Sequence, residues 1–301
     1  MRRRGIVLFI TLGMMLLLST IVMLFLRQSG AVQTSLRQDA TLIQTGLLLQ
    51  NMGDYLKSFN LGAEDLFYAA DIPSAMHLGP IEATLTLQSA QNRVNINALL
   101  KTLQKDQRAL DNFIEWMRRQ KVRRPGVMLA LLTDTMDKDL YPRAQATEIK
   151  AYMPQFQNGT IPNRRSLATV LHTYRLISGD ASQTVQAWDE IFGYEGNTID
   201  LNYATYTQLT LLFPDWPADT LRRIAAHDNY YSDVGDLPIS ENLKAAALLP
   251  RYGITPVFKT SIMRVSVRLK TPTDCRTTLT FRMHLKNRKI YRLGYTPIEC
   301  E

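Results

Sequence analysis

The chain has 301 residues, 46% of them hydrophobic, and carries a net charge of +8 at pH 7 with only two cysteines. Three positive charges, Arg2, Arg3 and Arg4, sit at the extreme N-terminus; without them 32 basic residues face 27 acidic ones, a balance of +5 that does not demand a nucleic-acid partner. Zinc has no support either, because Cys275 and Cys300 are far in sequence from His77, His172, His227 and His284 and no Cys-x-x-Cys is present.

After Arg2-Arg3-Arg4-Gly5 come twenty-one uncharged residues, Ile6 to Leu26, ended by Arg27. At 1.5 Å per residue such a helix spans about 30 Å, a bilayer core. The arginines on the short side predict a cytoplasmic N-terminus. A cleaved secretory signal fits poorly, since its apolar core is shorter and is followed by a small-x-small site. A plain anchor fits. So does a third reading: the order basic, Gly, apolar resembles a type IV pilin-like leader, cut after Gly5 to leave Ile6 as the N-methylated first residue. Beyond the membrane run, Leu36, Ala40, Ile43, Leu47, Met52, Tyr55 and Phe59 recur at helical spacing with no proline between Arg27 and Asn60. The pattern predicts one helix of more than fifty residues, apolar all round in its first half and striped in its second.

About 240 residues remain, enough for one large or two smaller cores. Asp71 to Pro80, with Pro73, Gly79 and Pro80, reads as a loop. Ile81 to Gln88 alternates apolar and polar residues, as does Arg93 to Asn97, predicting two strands of an antiparallel sheet. Ala98 to Lys121, Val127 to Thr133, Ala144 to Met153, Ser166 to Leu176 and Gln183 to Phe192 show helical spacing. Tyr206–Phe213 and Ala218–Ala226 follow, joined by Pro214-Asp215-Trp216-Pro217 like a helix-hairpin-helix. Two prolines without N–H and a carboxylate make that turn a poor phosphate site. From Thr255 the alternation returns in Lys259 to Leu269, Thr278 to Leu285 and Lys289 to Leu293. The arginine-dense stretches Arg118–Arg124 and Arg282–Arg292 read as solvated faces before phosphate or lipid contacts. On the far side of a membrane, Cys275 and Cys300 are expected to pair.

Here a resemblance becomes specific. Asn92-Arg93-Val94-Asn95-Ile96-Asn97-Ala98-Leu99 is similar to the "GRFNLNNL" strand of the type II secretion minor pseudopilin K family. Thr133 to Asp139 resembles its "DWxDxD" segment without the tryptophan, and Thr198 to Ala204 its "INLNTA". The stretch Leu209 to Leu237 resembles the family's following helix pair. The resemblance covers nearly the whole chain. It implies an α+β fold: a pilin-like long N-terminal helix packed on an antiparallel sheet, with a large all-helical domain inserted in the sheet. The implied layout is a leader (1–5), membrane half (6–26) and amphipathic half (27–60) of the helix, first sheet part (61–97), inserted domain (98–254, hairpin-like over 198–237) and last strands (255–301).

The resemblance also implies a role: a subunit at the pseudopilus tip that helps start pseudopilus assembly for protein secretion across the outer membrane. Its partners would be other minor pseudopilins, the major pseudopilin, the prepilin peptidase and the inner-membrane secretion platform, with no nucleic acid. The chain would cross the bacterial inner membrane once, with its C-terminal domain periplasmic. Most pilins carry a glutamate at the fifth mature position; here that residue is Ile10, which suits a filament end. Family members are described as calcium-binding, and two acidic loops, Asp134/Asp137/Asp139 and Asp228/Asp233/Asp236, are oxygen-rich enough to be considered. Both equally suit caps and turns. No nucleophile–His pairing, phosphate loop or His-x-x-x-His stands out, and a carboxylate pair such as Glu148 and Glu190 occurs in any chain of this size, so no enzyme is expected. The alternatives are a minor pilin of a related type IV pilus or DNA-uptake system, and a membrane-anchored periplasmic enzyme.

Overall fold

The structure, a computed structural model, describes residues 54, 62–69, 74–78, 81–247, 249–270, 275–295 and 299–300. The leader, the apolar run and nearly all of the striped helix expected over 6–60 lie outside the described residues. Among the described residues no helix is long and apolar enough to cross a membrane. The chain divides into Met1–Asn60 and Leu61–Glu301, and only the second, one compact unit, is described below.

In chain order this unit begins with α1 (Ala63–Ala69), β1 (Ser74–Leu78), β2 (Ile81–Ser89) and β3 (Val94–Asn95). Helices α2 (Ile96–Leu103), α3 (Gln107–Arg119), α4 (Pro125–Met136), α5 (Arg164–Ser178) and α6 (Val185–Ile191) follow. Then come β4 (Phe192–Gly193), β5 (Thr198–Asp200), α7 (Tyr206–Leu212), α8 (Ala218–Ala225), α9 (Glu241–Ala247) and β6 (Thr255–Val257). The chain closes with β7 (Ile262–Lys270), β8 (Cys275–His284), β9 (Ile290–Tyr295) and β10 (Glu299–Cys300).

The main sheet is antiparallel in the order β1-β2-β7-β8, with β9 and β10 both on the outer edge of β8. Strands β2 and β7 are direct neighbours although the whole helical block lies between them in sequence: Leu85 faces Val267 and Ser89 faces Met263. Alternation along the strands builds the two faces. Ala83 and Leu85, Met263, Val265, Val267 and Leu269, and Leu279, Phe281 and Met283 are buried. Arg264, Ser266, Arg268 and Lys270 occupy the opposite face. A register slip of one residue would exchange the faces, so the pattern itself fixes the pairing. Leu66 of α1 is fully buried, and α1 lies on β2.

The sequence reading needs four corrections. Residues 74–78, expected in a loop, form β1, because Leu78 faces Ile81 across a two-residue connection and the prolines flank the strand instead of interrupting it. The alternation over Arg93–Asn97 is only half a strand: Asn95 turns its side chain onto the N–H of Asn97 and Ala98 and caps α2, so Ile96 and Asn97 are helical. The short β3 pairs in parallel with β4, away from the main sheet, and Thr255–Val257 likewise joins β5. Ala144–Met153 is no helix; only Ile149–Ala151 makes a 3-10 turn, because Thr147 spends its hydroxyl on Asp134 and Ala144 and Ala146 takes a positive φ.

Elsewhere the caps explain the boundaries. Asp106 accepts from Ala109 N and separates α2 from α3. Asn163 opens α5, and Gly179 ends it at φ 69°, a conformation that suits a residue without Cβ. Thr205 and Gln208 form a reciprocal capping box on α7. The core of the block is aromatic at its centre: Phe113 stacks on Trp116 at 5.5 Å, and Phe192 meets Trp116 and Trp188 at 5.8 and 5.2 Å.

Candidate functional site

Two of the family-like motifs each place a buried amide, Asn97 and Asn202, and Gln91 and Gln208 just outside them are buried too; all four tie distant backbone together. Asn97 accepts from Ile161 N at 2.8 Å and donates to Ile161 O and Tyr194 O at 3.0 and 3.2 Å. Asn202 accepts from Tyr231 N at 2.7 Å and donates to Tyr231 O and Phe258 O at 3.0 and 2.8 Å. Gln208 donates to the carbonyls of Asn92, Glu190 and Ile191. Gln91 accepts from Ser261 N and Thr260 Oγ1 and donates to Thr198 Oγ1. An amide carries both donors and acceptors, so one side chain can satisfy the irregular backbone of two segments at once. Gln91 and Gln208 were invisible as staples in the sequence; only their partners reveal them. Beside them Asp200, fully buried, accepts from Asn202 N and Nδ2. Burial pushes its carboxyl up to about 6 against those hydrogen bonds.

The acidic loops are not built alike. Asp134, fully buried at the end of α4, takes Arg143 Nη1 at 2.6 Å on one oxygen, and Arg143 N at 3.0 Å and Thr147 Oγ1 at 2.5 Å on the other. The same Arg143 guanidinium is paired with Asp137. Asp139 turns away and accepts from Tyr141 N at 2.9 Å. Three buried oxygens nearby, Asp137 Oδ1, Glu148 Oε2 and Asn158 Oδ1, have no hydrogen-bond partner. In the second loop Asp233 and Asp236 cap the 3-10 turn Val234–Asp236, accepting from Gly235, Ser232 and Asp233 N–H groups. Among the described residues no three His, Cys, Asp or Glu side chains are grouped to hold a metal ion. The donor sets therefore do not fit the calcium that the resemblance implied: one loop holds a guanidinium and the other is a turn.

Gly5 and Ile6 lie outside the described residues. The backbone of β8 and β10 sets Cys300 opposite Cys275. Directly opposed Cα atoms in an antiparallel pair are about 4.5–5.5 Å apart, the separation a disulfide spans. The turn at Pro214–Pro217 is a packing device: Phe213 and Trp216 stack at 4.1 Å and are buried.

One charged cluster joins the helical block to the sheet. Arg93 pairs with Asp189 at 3.3 Å, and Glu195 takes Arg282 at 3.6 Å together with Arg292. Two members of the Arg282–Arg292 stretch are thus ion-paired, not merely solvated. Arg264, which faces Arg282 across the strands, was not singled out in the sequence, since only the register brings the two together.

No protein-family model matches the chain, and no curated protein matches it in sequence. Among solved structures, it is similar to a chain of the GspK-GspI-GspJ complex from the type 2 secretion system of enterotoxigenic Escherichia coli. The two share 14% identity with a TM-score of 0.52 over 88% of this chain and 99% of that one. At that identity the likeness is one of fold: this chain is built on the plan of a subunit of that complex.

Proposed function

We propose that the chain is a minor pseudopilin of a type II secretion system. The observation that carries this is the shared fold with a chain of the GspK-GspI-GspJ complex of a type 2 secretion system, over nearly the whole of that chain, beside the run Arg2-Arg3-Arg4-Gly5 ahead of an uncharged apolar stretch. On this reading the leader is removed after Gly5 and Ile6 is N-methylated. The apolar run holds the chain in the inner membrane with Leu61–Glu301 in the periplasm. There Cys275 and Cys300 form a disulfide, which the register of β8 and β10 favours. Residues 98–254 are an insertion into a pilin-like sheet, supported by the direct pairing of β2 with β7.

Its work is assembly. The subunit joins other minor pseudopilins, contacts the major pseudopilin, and occupies the pseudopilus tip, where the missing acid at Ile10 and the bulk of the helical block are tolerated. There it helps start the filament on the inner-membrane platform. The chain acts by binding and not as an enzyme.

The test is the intact mass and N-terminal sequence of the full chain after co-expression with a prepilin peptidase, beside a Gly5→Val control. A mature chain beginning at N-methylated Ile6, absent from the control, supports the reading. A chain still beginning at Met1 removes it and leaves a plain anchor.

A further inference from the structure

Arg264 stands on the polar face of the main sheet with Gln88 of β2 on one side and Arg282 of β8 on the other. Like charges directly opposite one another across a strand pair are unfavourable. Arg93 adds a third positive charge to this neighbourhood. The facing carboxylates are already engaged: Asp189 by Arg93, and Glu195 by Arg282 and Arg292. His284 and Tyr291, stacked at 4.9 Å, complete the surroundings. Four guanidiniums therefore share two carboxylates. Arg264, half-buried, is the member left with neither a hydrogen bond nor an ion pair among the described residues. Burial first, and then the neighbouring Arg93 and Arg282, lower its pKa to about 10, outweighing the attraction of Asp189.

We propose that Arg264, flanked by Arg93 and Arg282, receives a side-chain carboxylate from an acidic segment of a partner protein. Charge complementarity points to an anion, because the two carboxylates present, Asp189 and Glu195, leave the cluster with an excess of positive charge. A guanidinium presents a planar fork matched to a carboxylate, and among the described residues no carboxylate is ion-paired to that of Arg264. The surrounding face is open to a protein surface: Ser266 and Thr280 are half-exposed and Arg268 is exposed. This inference concerns the sheet and not the leader, so failure of leader cleavage would leave it standing.

The experiment is thermal melting of the full chain in detergent micelles at matched ionic strength, with added sodium chloride, inorganic phosphate or a tetraglutamate peptide. Expected is a rise of roughly 2–4 °C with the peptide over chloride, absent in Arg264→Gln and reduced in Arg264→Lys. Without peptide, Arg264→Gln melts at or above the parent, because repulsion with Arg93 and Arg282 is relieved. An equal peptide shift in parent and Arg264→Gln overturns the proposal. So does a lower melting point of both variants with no anion response in the parent, which would make Arg264 a packing residue. A phosphate shift exceeding the peptide shift, and lost in Arg264→Gln, also overturns it in favour of a free-anion site.

Discussion

The side chain of Asn97 holds the backbone of Ile161 at both of its polar groups, accepting from Ile161 N at 2.8 Å and donating to Ile161 O at 3.0 Å. It does for Ile161 what a neighbouring strand would do, inside the block and 64 residues away along the chain. Asn97→Ala removes this clasp and leaves buried backbone groups unpaired, so a loss of roughly 2–4 kcal/mol is expected. Urea unfolding measures it, with the exposed Lys101→Ala as control. A change no larger than that of the control would mean water replaces the amide.

Arg143 is expected to serve as the counter-ion of Asp134 and Asp137 without calcium. Its guanidinium is held above its usual pKa, first by Asp137 and then by Asp134, so it stays charged throughout the working range. Chelation of calcium should leave the melting temperature of the parent unchanged. Arg143→Ala strands a fully buried carboxylate and should cost about 3–5 kcal/mol. With Asp137 Oδ1, Glu148 Oε2 and Asn158 Oδ1 unsatisfied nearby, that variant, unlike the parent, should regain stability in millimolar calcium. A parent that melts lower in chelator would contradict this.

Asp200 makes stability depend on pH. Its folded pKa, about 6, lies above the ordinary carboxyl value of 3.8. The folded state therefore holds its proton more tightly, and this contribution is full below about 4 and lost as the pH rises through 6. A difference of about two units is worth about 3 kcal/mol between those limits. Melting from pH 4.5 to 7.5 should show the decline, and Asp200→Asn should flatten it while melting no lower than the parent at pH 7. A parallel decline in the variant would assign the effect to another group.

If Cys275 and Cys300 are bridged across β8 and β10, the oxidised chain has no titratable thiol under denaturing conditions. Cys275→Ser should then lower stability by roughly 3–4 kcal/mol. Two titratable thiols in protein isolated from the periplasm would exclude the bridge.

Much of the sheet was legible because strand alternation survives in sequence: β2, β7, β8 and β9 lie where period-two patterning puts them. The helix pair α7–α8 was legible from the Pro214-Asp215-Trp216-Pro217 turn between its two halves. Strand β1 was not, because Pro73, Gly79 and Pro80 crowd a five-residue strand and mimic a loop. The strand reading of Arg93–Asn97 overran because Ile96 and Asn97 keep the alternation while Asn95 has already begun a helix; a cap is decided by a side-chain hydrogen bond that spacing does not encode. The amide staples and the arginine cluster depend on partners dozens of residues away, such as Gln91 with Ser261 or Arg282 with Glu195. Composition shows that such residues exist, and only the fold shows whom they meet.

The pairing of β2 with β7 has a consequence for the order in which the chain assembles. Ser89 and Thr260 hydroxyls meet at 2.7 Å although 171 residues separate them, and Ala90 N bonds Ile262 O at 2.9 Å. In an unfolded chain that is a contact of very high contact order, slow to find and weak until its neighbours form. Gln91, bonded to both Thr198 and Ser261, brings the two ends of the helical block together from within. Once the block is folded, β2 and β7 leave it side by side, and a search across most of the chain becomes the closing of a hairpin.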